Sequence, residues 1–241
     1  AIEVIHPYVS DEISKNDLKK IIDDSYKHFS NPKIAPVTRI EQNKYILELF
    51  YGPTFAFKDY ALQFLGNLFT YALPKASKKL TVLGATSGDT GSAAIDAFRG
   101  KQDINVFILH PHNRVSDVQR RQMTTVQDDN IFNIAIKGNF DDCQKIVKEL
   151  FIDDELQQHT SLTAINSINW ARLMAQVVYY FWAYLQIDEQ EINFIVPSGN
   201  FGNVFSANVA KKMGLPINKL HITTNQNDIL HSSIKNGLMK K

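Results

Sequence analysis

The amino-acid sequence predicts an α/β fold of parallel or mixed sheets with flanking helices. From Tyr45 onward, short apolar runs alternate with helix-length amphipathic stretches, the rhythm of parallel strands joined by crossover helices. Three glycine-bearing segments each fall between such a run and such a stretch, where an open α/β sheet places its ligands.

Taken in order, the first forty residues read as helical. Ser14 and Asp17 have capping-box spacing, and Leu18, Ile21, Ile22, Tyr26 and Phe29 recur on one helical face. Pro32 and Pro36 end that segment. Strands are expected at Tyr45–Phe50, Leu80–Gly84, Asn105–His110, Ile131–Ile136, Leu162–Ile165, Asn193–Val196 and Leu220–Thr223, most of them β-branched or aromatic runs. The clearest helix spans Asn169–Gln186, where Trp170, Leu173, Met174, Val177, Val178, Phe181, Trp182 and Leu185 form a stripe expected to be core. The sequence has no internal repeat, low-complexity segment or long linker.

A chain of 241 residues can form one large domain or two small ones and bury most of its apolar surface. Its net charge of +1 gives no electrostatic footprint for nucleic acid. The single cysteine, Cys143, excludes an internal disulfide and fits a reducing compartment. The sequence has no apolar run long enough for a membrane span, and AIEVIHPYVSDE lacks the pattern of a signal peptide, so a cytoplasmic location is expected.

The three glycine segments are YGPTFAFKDY, GATSGDTGSAA and PSGNFGNVFSA. Within PSGNFGN, the glycines allow the backbone to wrap an anion, and the following helix would donate its free N–H groups to a phosphate. A tight strand-to-helix turn that binds nothing is the other reading. Neither GxxxxGK[ST] nor GxGxxG is present, which argues against a nucleotide loop.

Lys58 falls at the start of a helix, where a cation opposes the dipole at a cost of roughly 0.3–1 kcal/mol. Stability alone would not select it. Burial beside Phe55 and Phe57 would favour the neutral amine that attacks an aldehyde or takes a proton. By itself, the commoner role for such a lysine is a snorkelling side chain paired with Asp59. Arg172 is also in the first turn of a helix, after Asn166, Ser167, Ile168 and Asn169. It would share an anion with the helix N-terminus or pair with a surface carboxylate.

The remaining candidates are weaker. His110 and His112 mark a strand end, and no HExxH or paired Cys/His spacing supports a metal. Cys143 shares an apolar helix face with Phe140, Val147 and Leu150 behind an Asn139 cap, a core position. Ser87 is not in a GxSxG elbow.

In this order FYGPTFAFKDYALQFLG, GATSGDTGSAA, NSINWARLMAQ and VPSGNFGN resemble the threonine synthase family, over about Lys44 to Asp228. That family belongs to the tryptophan-synthase-β-like, fold-type-II class of pyridoxal-phosphate enzymes. The resemblance implies a two-lobed fold, with residues 1–44 an N-terminal helical segment and 45–241 an incomplete cofactor-binding catalytic region. A smaller α/β lobe is expected at about 78–175. The family continues past Lys241, so its C-terminal part, with the contact to the pyridine nitrogen, is expected to be absent from this chain.

By the same resemblance, the cofactor is pyridoxal 5′-phosphate and the substrate is O-phospho-L-homoserine, converted with water to L-threonine and phosphate by a monomer or homodimer. Lys58 would be the Schiff-base lysine and proton carrier, with Phe57 packed near the cofactor. Gly199, Asn200, Phe201, Gly202 and Asn203 would hold the cofactor phosphate. Ser87, Gly88, Thr90 and Gly91 would receive the substrate carboxylate, and Asn166, Ser167 and Arg172 the substrate phosphate. Asp89 stands where many relatives carry asparagine, near the ring 3′ oxygen, and needs a shared proton or a small displacement there. The competing readings are a threonine or serine dehydratase of the same class, and a non-catalytic module that binds a phosphate ligand.

Overall fold

The computed structural model describes residues 1–73, 79–166 and 169–237. Its first helices are α1 (Ile2–Ile5), followed by a 3-10 turn at His6–Tyr8, and α2 (Lys15–Tyr26). Ser14 caps α2, accepting from Asp17 N at 3.1 Å, and α2 buries Leu18 and Ile21. Helical structure then stops. Strands β1 (Val37–Glu41) and β2 (Lys44–Leu47) pair as an antiparallel hairpin, so the expected helical segment over residues 1–44 ends in a strand. In β1 only Val37 is even partly buried. An exposed strand of this kind carries no alternating apolar signal.

The hairpin is fastened to the long helix α8 (Trp170–Leu185) because Trp182 Nε1 and the amide of Gln186 both donate to Ala35 O, at 2.9 and 3.1 Å. The face that α8 buries differs from the expected stripe. Leu173, Met174 and Val177 are core, but so are Arg172, Tyr179 and Tyr180, while Trp170, Trp182 and Leu185 stand exposed. Tyrosines can bury their rings wherever the phenol finds a partner, and those partners lie on the far side of the helix.

The central sheet is parallel, with strands β3 (Leu80–Ala85), β4 (Ile104–Pro111), β5 (Ile131–Ile136) and β6 (Ser161–Ala164) in the order β5-β4-β3-β6. Leu83 of β3 lies opposite Phe107 on one side and Ala164 on the other, so the loops after β3 and β6 leave the sheet side by side. Helices α3 (Lys58–Ala72) and α4 (Asp89–Phe98) pack together, burying Leu62, Leu65, Ala93 and Phe98 against Val82, Val106 and Ile108. They can approach closely because Gly66 has no side chain. A Cβ there would sit 2.5 Å from Ala97 O.

Helices α5 (Asp117–Thr124), α6 (Phe140–Phe151) and α7 (Asp154–His159) complete the crossovers of this sheet. Asn139 caps α6 in a capping box, and Cys143 is fully buried. A second parallel pair, β7 (Ile192–Pro197) and β8 (Ile217–Thr223), flanks α9 (Gly202–Lys212), and α10 (Ile229–Asn236) follows. No helix among the described residues is long and apolar enough to cross a membrane.

Phe64 is 1% exposed and is enclosed by α2 and α8, so it fixes where α3 lies. Phe64→Ala is expected to cost about 3–5 kcal/mol of unfolding free energy, measured as a lowered urea midpoint at unchanged slope.

A candidate active site where the helices begin

Lys58 and Asp89 are the first residues of the neighbouring helices α3 and α4. Close packing of those helices brings Lys58 Nζ to 3.1 Å from Asp89 Oδ2. The Lys58 side chain is 19% exposed, and its Nζ lies 4.5 Å from the centroid of the Phe57 ring. Phe55 contributes no burial, being 71% exposed. Burial raises the Asp89 carboxyl, but the Lys58 charge and the hydrogen bonds from Gln119 and Lys58 outweigh it and hold the carboxyl below its ordinary value.

Asp59 is not the partner of Lys58. It is fully buried and accepts from Thr54 N at 2.8 Å and Thr54 Oγ1 at 2.6 Å. Gln122 on α5 holds the same turn through Thr54 O at 3.1 Å. The buried carboxylate therefore shapes the loop that delivers Lys58. Desolvation raises it to about 6, against the lowering effect of the Thr54 hydrogen bonds.

The loop after β3 is organised by Thr86, whose Oγ1 accepts from both Gly88 N and Gly91 N at 3.0 Å. Gly88 has φ +154°, and a Cβ there would lie 2.4 Å from the Gln119 carboxamide. Only glycine meets both conditions. Ser87 is exposed, and the hydroxyls of Ser87 and Thr90 make no hydrogen bond among the described residues. They remain available to a ligand beside Asp89.

The loop after β6 carries Asn166 and leads through the Asn169 cap into α8. Arg172 lies in the first turn of α8, 3% exposed, with Nη1 donating to Asn166 O at 2.7 Å. Its Nε has no partner, and no carboxylate reaches it within salt-bridge distance, among the described residues. Burial lowers its pKa to about 10, which leaves it a cation at neutral pH. Ser167 lies outside the described residues.

The third loop, residues 197–203, opens α9. Phe201 takes a left-handed conformation at φ +61°, and nothing lies within 4 Å of the position a Cβ would occupy on Gly199. The backbone at Gly199 therefore borders open space, while in the first turn of α9 Gly202 N donates to Asn200 O at 2.7 Å. The Asn203 carboxamide turns inward, accepting from the phenols of Tyr179 and Tyr180. Tyr179 in turn meets Tyr60 of α3 edge-on at 6.3 Å. An aromatic bridge thus ties this loop to the turn that bears Lys58.

The structure brings Lys58, Phe57 and Asp89 into direct contact, and the loops that carry Ser87 and Asn166 leave adjacent strands, with Arg172 bonded to Asn166 O. It ties Gly199–Asn203 to them through tyrosines. Thr86, Gln119, Tyr179 and Tyr180 were not singled out from the sequence. Thr86 was visible within GATSG, whereas the two tyrosines were hidden in an apolar helix. Among the described residues no cluster of three metal-ligating side chains occurs.

A family model described as pyridoxal-phosphate dependent enzyme matches residues 35–241. The threonine synthase of Pseudomonas aeruginosa is 52% identical over 233 residues, 96% of this chain and 50% of that protein. The threonine synthase of Saccharomyces cerevisiae is 48% identical over 258 residues, all of this chain and 50% of that protein. Among solved structures, the pyridoxal-phosphate-bound threonine synthase from Brucella melitensis superposes with a TM-score of 0.89 at 46% identity. It covers 98% of this chain and 52% of its own. The chain thus spans about half the length of the relatives it matches. A pyridoxal-phosphate-dependent aspartate racemase, 14% identical with a TM-score of 0.62, shares the fold alone.

The raised Asp59 pKa sets a pH dependence. Between its ordinary value of 3.8 and about 6, the folded state binds more protons than the unfolded one. The contribution of Asp59 to stability is therefore complete below pH 3.8 and lost as pH rises through about 6. Unfolding free energy should fall over that window by at most about 3 kcal/mol on this account. Asp59→Asn should show a shallower slope in chemical denaturation across the same pH values.

Proposed function

Because the chain belongs to the pyridoxal-phosphate-dependent enzyme family, we propose that its cleft converts O-phospho-L-homoserine and water to L-threonine and phosphate. The carrying observation is Arg172, a buried guanidinium with a free Nε and no carboxylate partner among the described residues. Burying an unpaired charge costs several kcal/mol, and an anionic ligand offsets that cost when it binds. A substrate phosphate is such a ligand. The names of the similar proteins point the same way, since the Pseudomonas and yeast relatives are both threonine synthases.

The residues present fit pyridoxal 5′-phosphate. Lys58 offers a largely buried amine, and the Cβ position of Gly199 in the loop of residues 197–203 is unobstructed, as an anion cradle requires. In this reading Lys58 holds the cofactor, Phe57 packs near it, and Gly199, Asn200, Phe201 and Gly202 hold its phosphate. Asn203 serves through its backbone, because its side chain is committed to Tyr179 and Tyr180. Bound there, the cofactor supplies an electron sink for the charge left when the substrate loses its α-proton.

This chain's own residues do the rest. Lys58 Nζ takes and returns protons, with Asp89 Oδ2 as its counter-ion when the amine is charged. Ser87 and Thr90 orient the substrate carboxylate through hydroxyl and backbone donors, while Gly88 and Gly91, whose N–H groups donate to Thr86 Oγ1, shape the turn that presents them. Arg172, with Asn166 and Ser167, steadies the phosphate as it departs from the γ-carbon, where charge builds up. A dehydratase of the same class has no need of that second anion site. The substrate is a small molecule, met in the cytoplasm.

Arg172→Ala should lower kcat/KM for O-phosphohomoserine by about two to three orders of magnitude, the scale of losing a desolvated charged contact. Undiminished turnover by that variant would end the substrate assignment and favour a dehydratase.

A further inference from the structure

The structure assigns Gln119 as a positioning residue that locks the Asp89 carboxylate so that it faces the amine of Lys58. Both Asp89 oxygens are in use: Oδ1 accepts from Gln119 Nε2, and Oδ2 accepts from Lys58 Nζ at 3.1 Å. The carboxylate plane is therefore fixed at two points. A carboxamide could present either its oxygen or its nitrogen to Asp89, and Ser116 decides which. Its hydroxyl donates to Gln119 Oε1 at 2.8 Å, leaving Nε2 to face the carboxylate.

The same serine caps α5, accepting from Gln119 N at 3.4 Å, so one side chain fixes both ends of the glutamine. The backbone of Gly88 forms the third wall, since a Cβ there would overlap the carboxamide at 2.4 to 2.6 Å. The positive φ of Gly88 and the placement of Gln119 are thus one requirement. A cap on α5 is transmitted through Gln119 and Asp89 to an amine on α3.

The purpose of this relay rests on the reading of Lys58 as the cofactor lysine. A carboxylate held by a neutral donor keeps its charge when Lys58 moves away, and it receives the lysine again when it returns. It also answers how an aspartate is accommodated at this place in the cleft. Its orientation is set for the amine, with one oxygen already occupied by an amide.

The test needs neither cofactor nor turnover. The protein without added cofactor is trace-acetylated with acetic anhydride at pH 7.5, and the rate at Lys58 is read by peptide mass spectrometry. The exposed Lys19 and Lys20 serve as internal standards. Gln119→Leu removes the donor to Asp89 Oδ1, so the carboxylate is held at one point instead of two and its contact with Lys58 Nζ is loosened. The Lys58 amine is then less engaged, and its acetylation should rise about 3- to 10-fold, the scale of one lost hydrogen bond.

Gln119→Met, which keeps the bulk and loses the donor, should raise the rate in the same direction. Ser116→Ala should raise it less. In an Asp89→Asn background, itself fast, Gln119→Leu should add nothing. Should Gln119→Leu fail to fold, judged by its near-UV circular dichroism, Gln119→Met with and without Asp89→Asn decides the matter. Rates within twofold of wild type in the folded Gln119 variants overturn the proposal. So does an increase that persists undiminished in the Asp89→Asn background, because that would report altered access to Lys58 rather than a lost counter-ion. Failure of the Arg172 test would leave this result untouched, so the two readings can fall separately.

Discussion

Lys58 Nζ and Asp89 Oδ2, 3.1 Å apart, join two helices that start at the same edge of a parallel sheet. Everything around that contact holds its two ends in place. Gly66 lets α3 and α4 pack closely, Phe64 wedges α3 against α2 and α8, and buried Asp59 ties down the loop that leads into Lys58. On the other side, Thr86 shapes the turn that presents Asp89. Neither helix is capped by its own N-cap side chain; instead Gly91 N of α4 donates to Thr86 Oγ1, and Asp59 N and Tyr60 N of α3 donate to Ala56 O and Phe57 O.

We propose that three segments receive anions, each with different physics. The Gly199 loop offers backbone beside open space. The Ser87–Gly91 turn offers hydroxyls and N–H groups beside an existing negative charge. Arg172 offers a full charge held out of water, lowered to about 10 yet still protonated at neutral pH. A desolvated guanidinium contributes most to ligands that bring a formal charge of their own. That ordering separates a substrate phosphate from a carboxylate or a neutral hydroxyl.

Much of the fold was legible because parallel strands buried on both faces read as continuous apolar runs, as in Leu80–Ala85 and Ile104–Pro111. The strand Val37–Glu41 was not, since nearly all of it faces water. In α8 the apolar pattern located the helix but not its buried face, because Tyr179 and Tyr180 bury their rings by bonding Asn203. The site shows the same division. The glycine segments and Lys58 stood out as motifs, and family resemblance supplied their roles. That Lys58 would choose Asp89 over its neighbour Asp59 depends on helix packing between residues 31 apart in the chain, which no local pattern encodes. Gln119 was invisible for the same reason, since its contact requires the left-handed bend at Gly88.

On the proposed reading, one amine, Lys58, is held where the aldehyde of pyridoxal phosphate can reach it while the phosphate tail sits on the Gly199–Asn203 turn. The most direct measurement is to add pyridoxal phosphate, reduce with borohydride and map the labelled peptide by mass spectrometry. The account predicts a single dominant label on the peptide containing Lys58. A dominant label on any other lysine would contradict it.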